Sequence, residues 1–165
     1  MKHLLGVSEV IVRITLGLAA AMLAVAVILV FYQVLTRFIL NDAAVWSEVL
    51  ARAVIVWGVF LIMGPAIRNG KMIPIDILRS LLPRDKQIWV IRVVTAAIAL
   101  FLCILIWFGY KMTLRVVNQQ VAMLNMSVAW FYVAIPVGAI LALPGLLLAH
   151  LDAEHGHRNL DEVPE

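Results

Sequence analysis

Few side chains in this sequence have the type and spacing to do chemistry. Glu48 and Arg52 stand four residues apart. On a helix that spacing brings the two side chains together, with the acid on the favoured N-terminal side. An ionisable residue inside a lipid-facing span costs roughly 2.5–3.5 kcal/mol on insertion scales, and mutual neutralisation offsets part of that cost. If the helix opens near Val45, both groups lie toward one end of it and not at mid-bilayer. The chemistry open to them is an interfacial ion pair with snorkelling side chains, or a docking contact to a partner helix or a soluble protein. A proton-coupling role for Glu48 is disfavoured by the counter-ion one turn away. Arg37, Asp42, Lys111 and Arg115 form a further charged rim on the same side. They suit lipid phosphates or a landing surface for a soluble partner. Trp46, Trp57 and Trp130 fit an interfacial belt or helix packing better than a ligand cage.

Other chemistries find no foothold. The four histidines, His3, His150, His155 and His157, all lie outside the apolar runs. A haem held between helices needs an imidazole facing the bundle interior, and no metal or other cofactor is expected. Ser8, Ser47, Ser80 and Ser127 all sit near boundaries, whereas an intramembrane hydrolase needs a nucleophile at depth with a base beside it. No glycine-rich phosphate loop is present. The lone cysteine, Cys103, lies in an apolar run and reads as a small apolar residue. The pI near 9.4 does not indicate a nucleic-acid partner, because the basic residues cluster at the edges of apolar runs. An enzyme is not expected.

The elements that must position these residues follow from composition. The chain is 64% apolar and 14% charged over 165 residues, against about half and about a quarter for a soluble domain. So small a particle cannot hide that excess. A bilayer core of ~30 Å needs ~20 apolar residues per helical crossing. The sequence predicts an all-α polytopic membrane protein with spans at about 14–38, 45–67, 88–110 and 128–149. The lipid bilayer is thus its first partner. Residues 1–150 form one membrane domain, and the acidic segment 151–165 is expected to be disordered. The first span reads as an uncleaved anchor, with Gly17, Ala21 and the alanine patch at 19–21 as a small-residue face. Asn41 or Asp42 is a candidate cap for the second helix, and Asn125 or Ser127 for the fourth. Pro65, Asn69 and Gly70 mark the second span's end, Pro83 opens the third helix, and Pro136 and Pro144 kink the fourth. Part of the 68–87 loop suits a short surface helix.

Four spans place both termini and the middle loop on one side. That side carries nine of the lysines and arginines, six of them in the middle loop, and the other side carries four. The bias predicts a cytoplasmic location for both termini.

Several short pieces together resemble a known family. Arg37-Phe38 closes the first span, and Trp46-Ser47-Glu48 with Ala51-Arg52 opens the second. Trp57, Phe60 and Gly64 follow at helical spacing. Then come Gly70-Lys71-Met72-Ile73-Pro74-Ile75-Asp76 and, in the last span, Trp130-Phe131-Tyr132-Val133-Ala134-Ile135-Pro136-Val137-Gly138. In this order the chain resembles the small membrane subunit, DctQ-like, of tripartite ATP-independent periplasmic (TRAP) transporters, over about residues 10–150. Many members carry histidine where this chain has Met72, so a role tied to that histidine is not carried over. The resemblance implies a bacterial inner-membrane complex importing an organic acid with sodium. In it a large membrane subunit carries the substrate and ion sites, and a periplasmic substrate-binding protein delivers cargo. The small subunit would be a non-catalytic scaffold that helps dock the binding protein. Two other classes compete: an autonomous proton-coupled exporter using Glu48, and a membrane enzyme or redox subunit.

Overall fold

A helix is the one open-ended structure that satisfies all its backbone polar groups within a single segment, as hydrocarbon demands. The four apolar runs accordingly fold as helices. The computed structural model describes residues 2–41, 44–69, 84–121 and 124–161. Helix α1 spans Lys2–Ile39, α2 Val45–Asn69 and α3 Arg84–Val116. A two-residue antiparallel ribbon follows, β1 Gln120–Val121 with β2 Met126–Ser127, then a short α4 at Ala129–Tyr132 and a long α5 at Ala134–Asp161. Four of these segments are long and apolar enough to cross a membrane, α4 and α5 acting together as the last.

Helix ends differ from the expected span ends because hydrocarbon thickness limits the apolar length and not the helix. α1 begins well before residue 14, and α2 runs on through Pro65 to Asn69. α5 continues to Asp161, so the segment expected to lack structure after residue 150 is helical over 151–161. Asn41, one of two candidate caps of α2, follows the end of α1 with a left-handed φ of 51°, the conformation that terminates helices and that asparagine tolerates; the other candidate, Asp42, lies outside the described residues. Ser127 does support the last span, accepting the Ala129 N–H at 3.1 Å while donating to the Val117 carbonyl at 2.7 Å. The break between α4 and α5 at Val133 lies beside Tyr132, whose carbonyl Pro136 cannot bond. Pro144 sits inside α5 without ending it. The expected surface helix, the Pro83 start and Met72 lie outside the described residues.

α5 is the central element. It packs on α2 and α3 and touches α1, while α1 packs chiefly on α2. In the most apolar 18-residue stretch of the last span 39% of the residues are buried, against 17% in that of α1 and 11% in that of α3. α1 and α3 are thus flanking helices that leave most of their apolar surface outside the protein. Leu102, Ala139, Ala142 and Leu146 form the dry core between α3 and α5.

Backbone proximity holds the centre together. A Cβ on Gly145 would collide with the Gly64 carbonyl oxygen, and one on Gly138 would lie 2.6 Å from the Phe60 carbonyl oxygen. Between α3 and α5, a Cβ on Gly109 would meet Pro136 Cδ at 2.9 Å. With no hydrophobic drive between helices in lipid, close dispersion contact at small residues replaces it.

α1 joins α2 along a different stripe from the one expected. Ser8, Val12, Thr15, Ala19, Met22, Ala26, Leu29, Gln33 and Thr36 are covered residues spaced alternately by four and three. That is the seam of a left-handed helix pair. Ala19 belongs to it, facing Gly58, but Ala21 is exposed and Gly17 faces open space. Thr15 and Thr36 return their hydroxyls to carbonyls of their own helix, so they enter the seam with their donors satisfied.

Candidate functional site

Cross-helix bonds fix which residues share an end of the molecule. At one end Arg68 Nη2 of α2 meets Glu9 Oε1 of α1 at 2.9 Å, and Thr95 of α3 shares a 3.1 Å hydrogen bond with His150 of α5. At the other end lie the close of α1, the start of α2, the close of α3 and the hairpin. There the predicted Glu48–Arg52 pair forms, with Nη2 to Oε1 at 3.0 Å. It is not isolated, because Gln33 of α1 donates its side-chain amide to Glu48 Oε2 at 3.1 Å. Glu48 therefore ties α1 to α2 and accepts on both oxygens. With side chains 70% and 49% exposed, the ion pair by itself is worth about 0.3–0.5 kcal/mol. The bond to Gln33 adds the link across the helix seam.

Four of the remaining predicted residues, Arg37, Trp46, Lys111 and Arg115, gather around this end as a rim. The Trp46 ring lies against Tyr32 of α1, centroids 5.8 Å apart at 49°, an amphipathic pair suited to a headgroup interface. Arg37 is exposed on the last turn of α1, and Arg115 on the last turn of α3. Glu48 lies in the first turn of α2. Each sign complements the helix dipole at its position, which accounts for the charges without a ligand. Lys111 lies over Trp107 of its own helix, 4.8 Å from the ring centroid, a cation–π contact. Asp42 is outside the described residues. Trp57 is structural, donating its indole N–H to the Trp130 carbonyl at 2.9 Å and so pinning α4 to α2.

Sequence reasoning missed three side chains, Gln33, Glu9 and Thr95, and gave His150 no partner. An amide inside a span was the available signal for Gln33, since polar groups at depth need a partner. Nothing in the spacing paired Glu9 with Arg68, which are 59 residues apart. Among the described residues, no three of histidine, cysteine, aspartate and glutamate gather as a metal would require. Among the described residues the charged groups lie toward the two ends, and the polar side chains between them, such as Gln33 and Thr15, are held by the protein itself. Such an arrangement can clamp helices and present a charged rim.

Residues 26–151 match the family described as tripartite ATP-independent periplasmic transporters, DctQ component. The chain is also similar to the sialic acid TRAP transporter small permease protein SiaQ of Vibrio cholerae serotype O1. The two are 28% identical over 127 residues, covering 77% of this chain and 71% of that relative.

Proposed function

Since the chain belongs to the DctQ-component family of tripartite ATP-independent periplasmic transporters, we propose that within such a transporter it is a fixed, non-catalytic membrane scaffold. Its partners in this reading are a large membrane subunit that moves the cargo and a periplasmic binding protein that delivers it. The transported solute is an organic acid, carried with sodium. The relative from Vibrio cholerae is named for sialic acid, itself an organic acid, which supports that class. The charge bias favours a bacterial inner membrane with both termini cytoplasmic. The rim of Arg37, Trp46, Lys111 and Arg115, with Asp42 beside them in sequence, then faces the periplasm as the docking surface.

One observation carries the reading. The charged groups of the described spans lie toward their ends, while the most apolar 18-residue stretches of the flanking α1 and α3 are only 17% and 11% buried. Two flanks so exposed on their outer faces are suited to being covered by another membrane subunit or by lipid. The exporter alternative needs a free carboxylate, and Glu48 is held by both Gln33 and Arg52.

The test is purification of the tagged chain from its native membranes, followed by reconstitution. The expected result is co-purification of a larger membrane protein, with uptake only when that partner and a binding protein are present. Movement of a solute by this chain alone, down an imposed gradient, overturns the proposal.

A further inference from the structure

A cleft of about 490 Å³ opens between α2, the β-hairpin and α4–α5. Its walls include Val56, Val121, Val128, Phe131 and Ile135, and its one charged lining residue is Arg52. That volume falls in the range of sites that hold small ligands. We propose that this cleft holds an acyl chain of a membrane phospholipid whose headgroup phosphate rests on Arg52.

The depth of the groups argues for this occupant. Val121 and Val128 belong to the hairpin segment, which carries the exposed polar residues Asn118, Gln119 and Gln120. Those side chains belong at the water margin, so Arg52, lining the same cleft, lies at headgroup level. Val56 is one helical turn deeper, about 6 Å along the axis, and Ile135 lies below the hairpin on the opposite wall. Charge at the mouth and hydrocarbon beneath is the polarity of a lipid inserted in a leaflet. Arg52 uses Nη2 on Glu48, but a guanidinium carries five N–H donors in a planar fork that matches phosphate oxygens. Its other N–H groups have no protein partner among the described residues, and its side chain is 70% exposed. At the same end of the molecule, Trp46 against Tyr32 and Trp107 under Lys111 form an interfacial belt. A polar solute would find one cation, the Tyr132 ring and otherwise aliphatic and phenyl wall. A phospholipid satisfies both parts, and by filling the cleft it would brace α4 against α2 beside the Trp57–Trp130 bond. This inference does not require the transporter reading, since lipid surrounds the chain in either case.

The experiment is native mass spectrometry of the full chain, with whatever subunits accompany it, extracted into a phosphate-free maltoside detergent. Retained phospholipid is counted before and after resupply from phosphatidylethanolamine–phosphatidylglycerol vesicles or from a phosphate-free galactolipid. The wild type should retain phospholipid and not the galactolipid. Arg52→Gln should lower retention roughly tenfold, as expected for losing a charge-assisted phosphate contact. Val56→Phe, which fills the cleft and leaves Arg52 in place, should lower it as well, with helical content unchanged by circular dichroism. Wild-type retention in either variant, or equal retention of the two lipid types by the wild type, overturns the proposal. So does shielding of Ile135→Cys, in a Cys103→Ala background, from a lipid-soluble maleimide only when a second membrane subunit is bound. That outcome would make the cleft a protein contact.

Discussion

Glu48 draws its importance from having two partners on two helices. Gln33 and Arg52 hold its two oxygens at 3.1 and 3.0 Å, so the carboxylate acts as a clasp at the open end of the α1–α2 seam. Glu48→Gln keeps the shape and removes the charge. It should weaken the clasp by about 1 kcal/mol, the usual net worth of such a bond. The recovered yield of assembled complex should fall, while transport per assembled complex is retained. Size-exclusion yield and uptake, measured on the same preparation, separate the two effects. Loss of uptake with normal assembly would move Glu48 from clasp to proton carrier. Arg52→Ala should likewise lower yield, since it leaves the acid with Gln33 alone.

Among the elements, α5 is the one whose sequence is most constrained by its neighbours. Gly138 and Gly145 lie where a Cβ would strike α2 backbone or side-chain atoms, and Gly109 of α3 lies against Ile135 and Pro136. Gly145→Ala forces α2 and α5 apart and should cost about 1–3 kcal/mol, in the range of overpacked cores. The matched control is Gly17→Ala on α1. It has no neighbour within 4 Å and a helical backbone that favours alanine, so stability should be held or slightly raised. Thermal unfolding of the two variants in one detergent makes the comparison. Equal melting temperatures would mean that the α2–α5 approach is looser than the geometry describes.

At the scale of the whole molecule, the described helices stand in the order α1, α2, α5, α3, with α1 also touching α5. Most of the surface of both flanks is turned outward. Orientation is tested at the same scale. In a Cys103→Ala background, Asn118→Cys at the hairpin should react with an impermeant maleimide in intact spheroplasts. Leu160→Cys on the far end of α5 should react only after the membrane is opened. The reverse pattern would place the rim in the cytoplasm and remove the binding-protein docking role.

Four spans, and the confinement of charge to their ends, were legible in the sequence because the cost of burying an ion in hydrocarbon is a property of each residue. The i to i+4 geometry of Glu48 and Arg52 was legible too, being local to one helix. Which face of each helix meets another was not, because lipid and protein neighbours accept the same apolar side chains. The sequence pointed to Gly17 and Ala21, and the fold uses the stripe through Val12, Ala19 and Ala26. Gln33 on Glu48, Glu9 on Arg68, Thr95 on His150 and Trp57 on Trp130 each join residues distant in the chain. Only the packed arrangement of helices decides such pairs, since each depends on the relative rotation and depth of two elements that hydropathy leaves free.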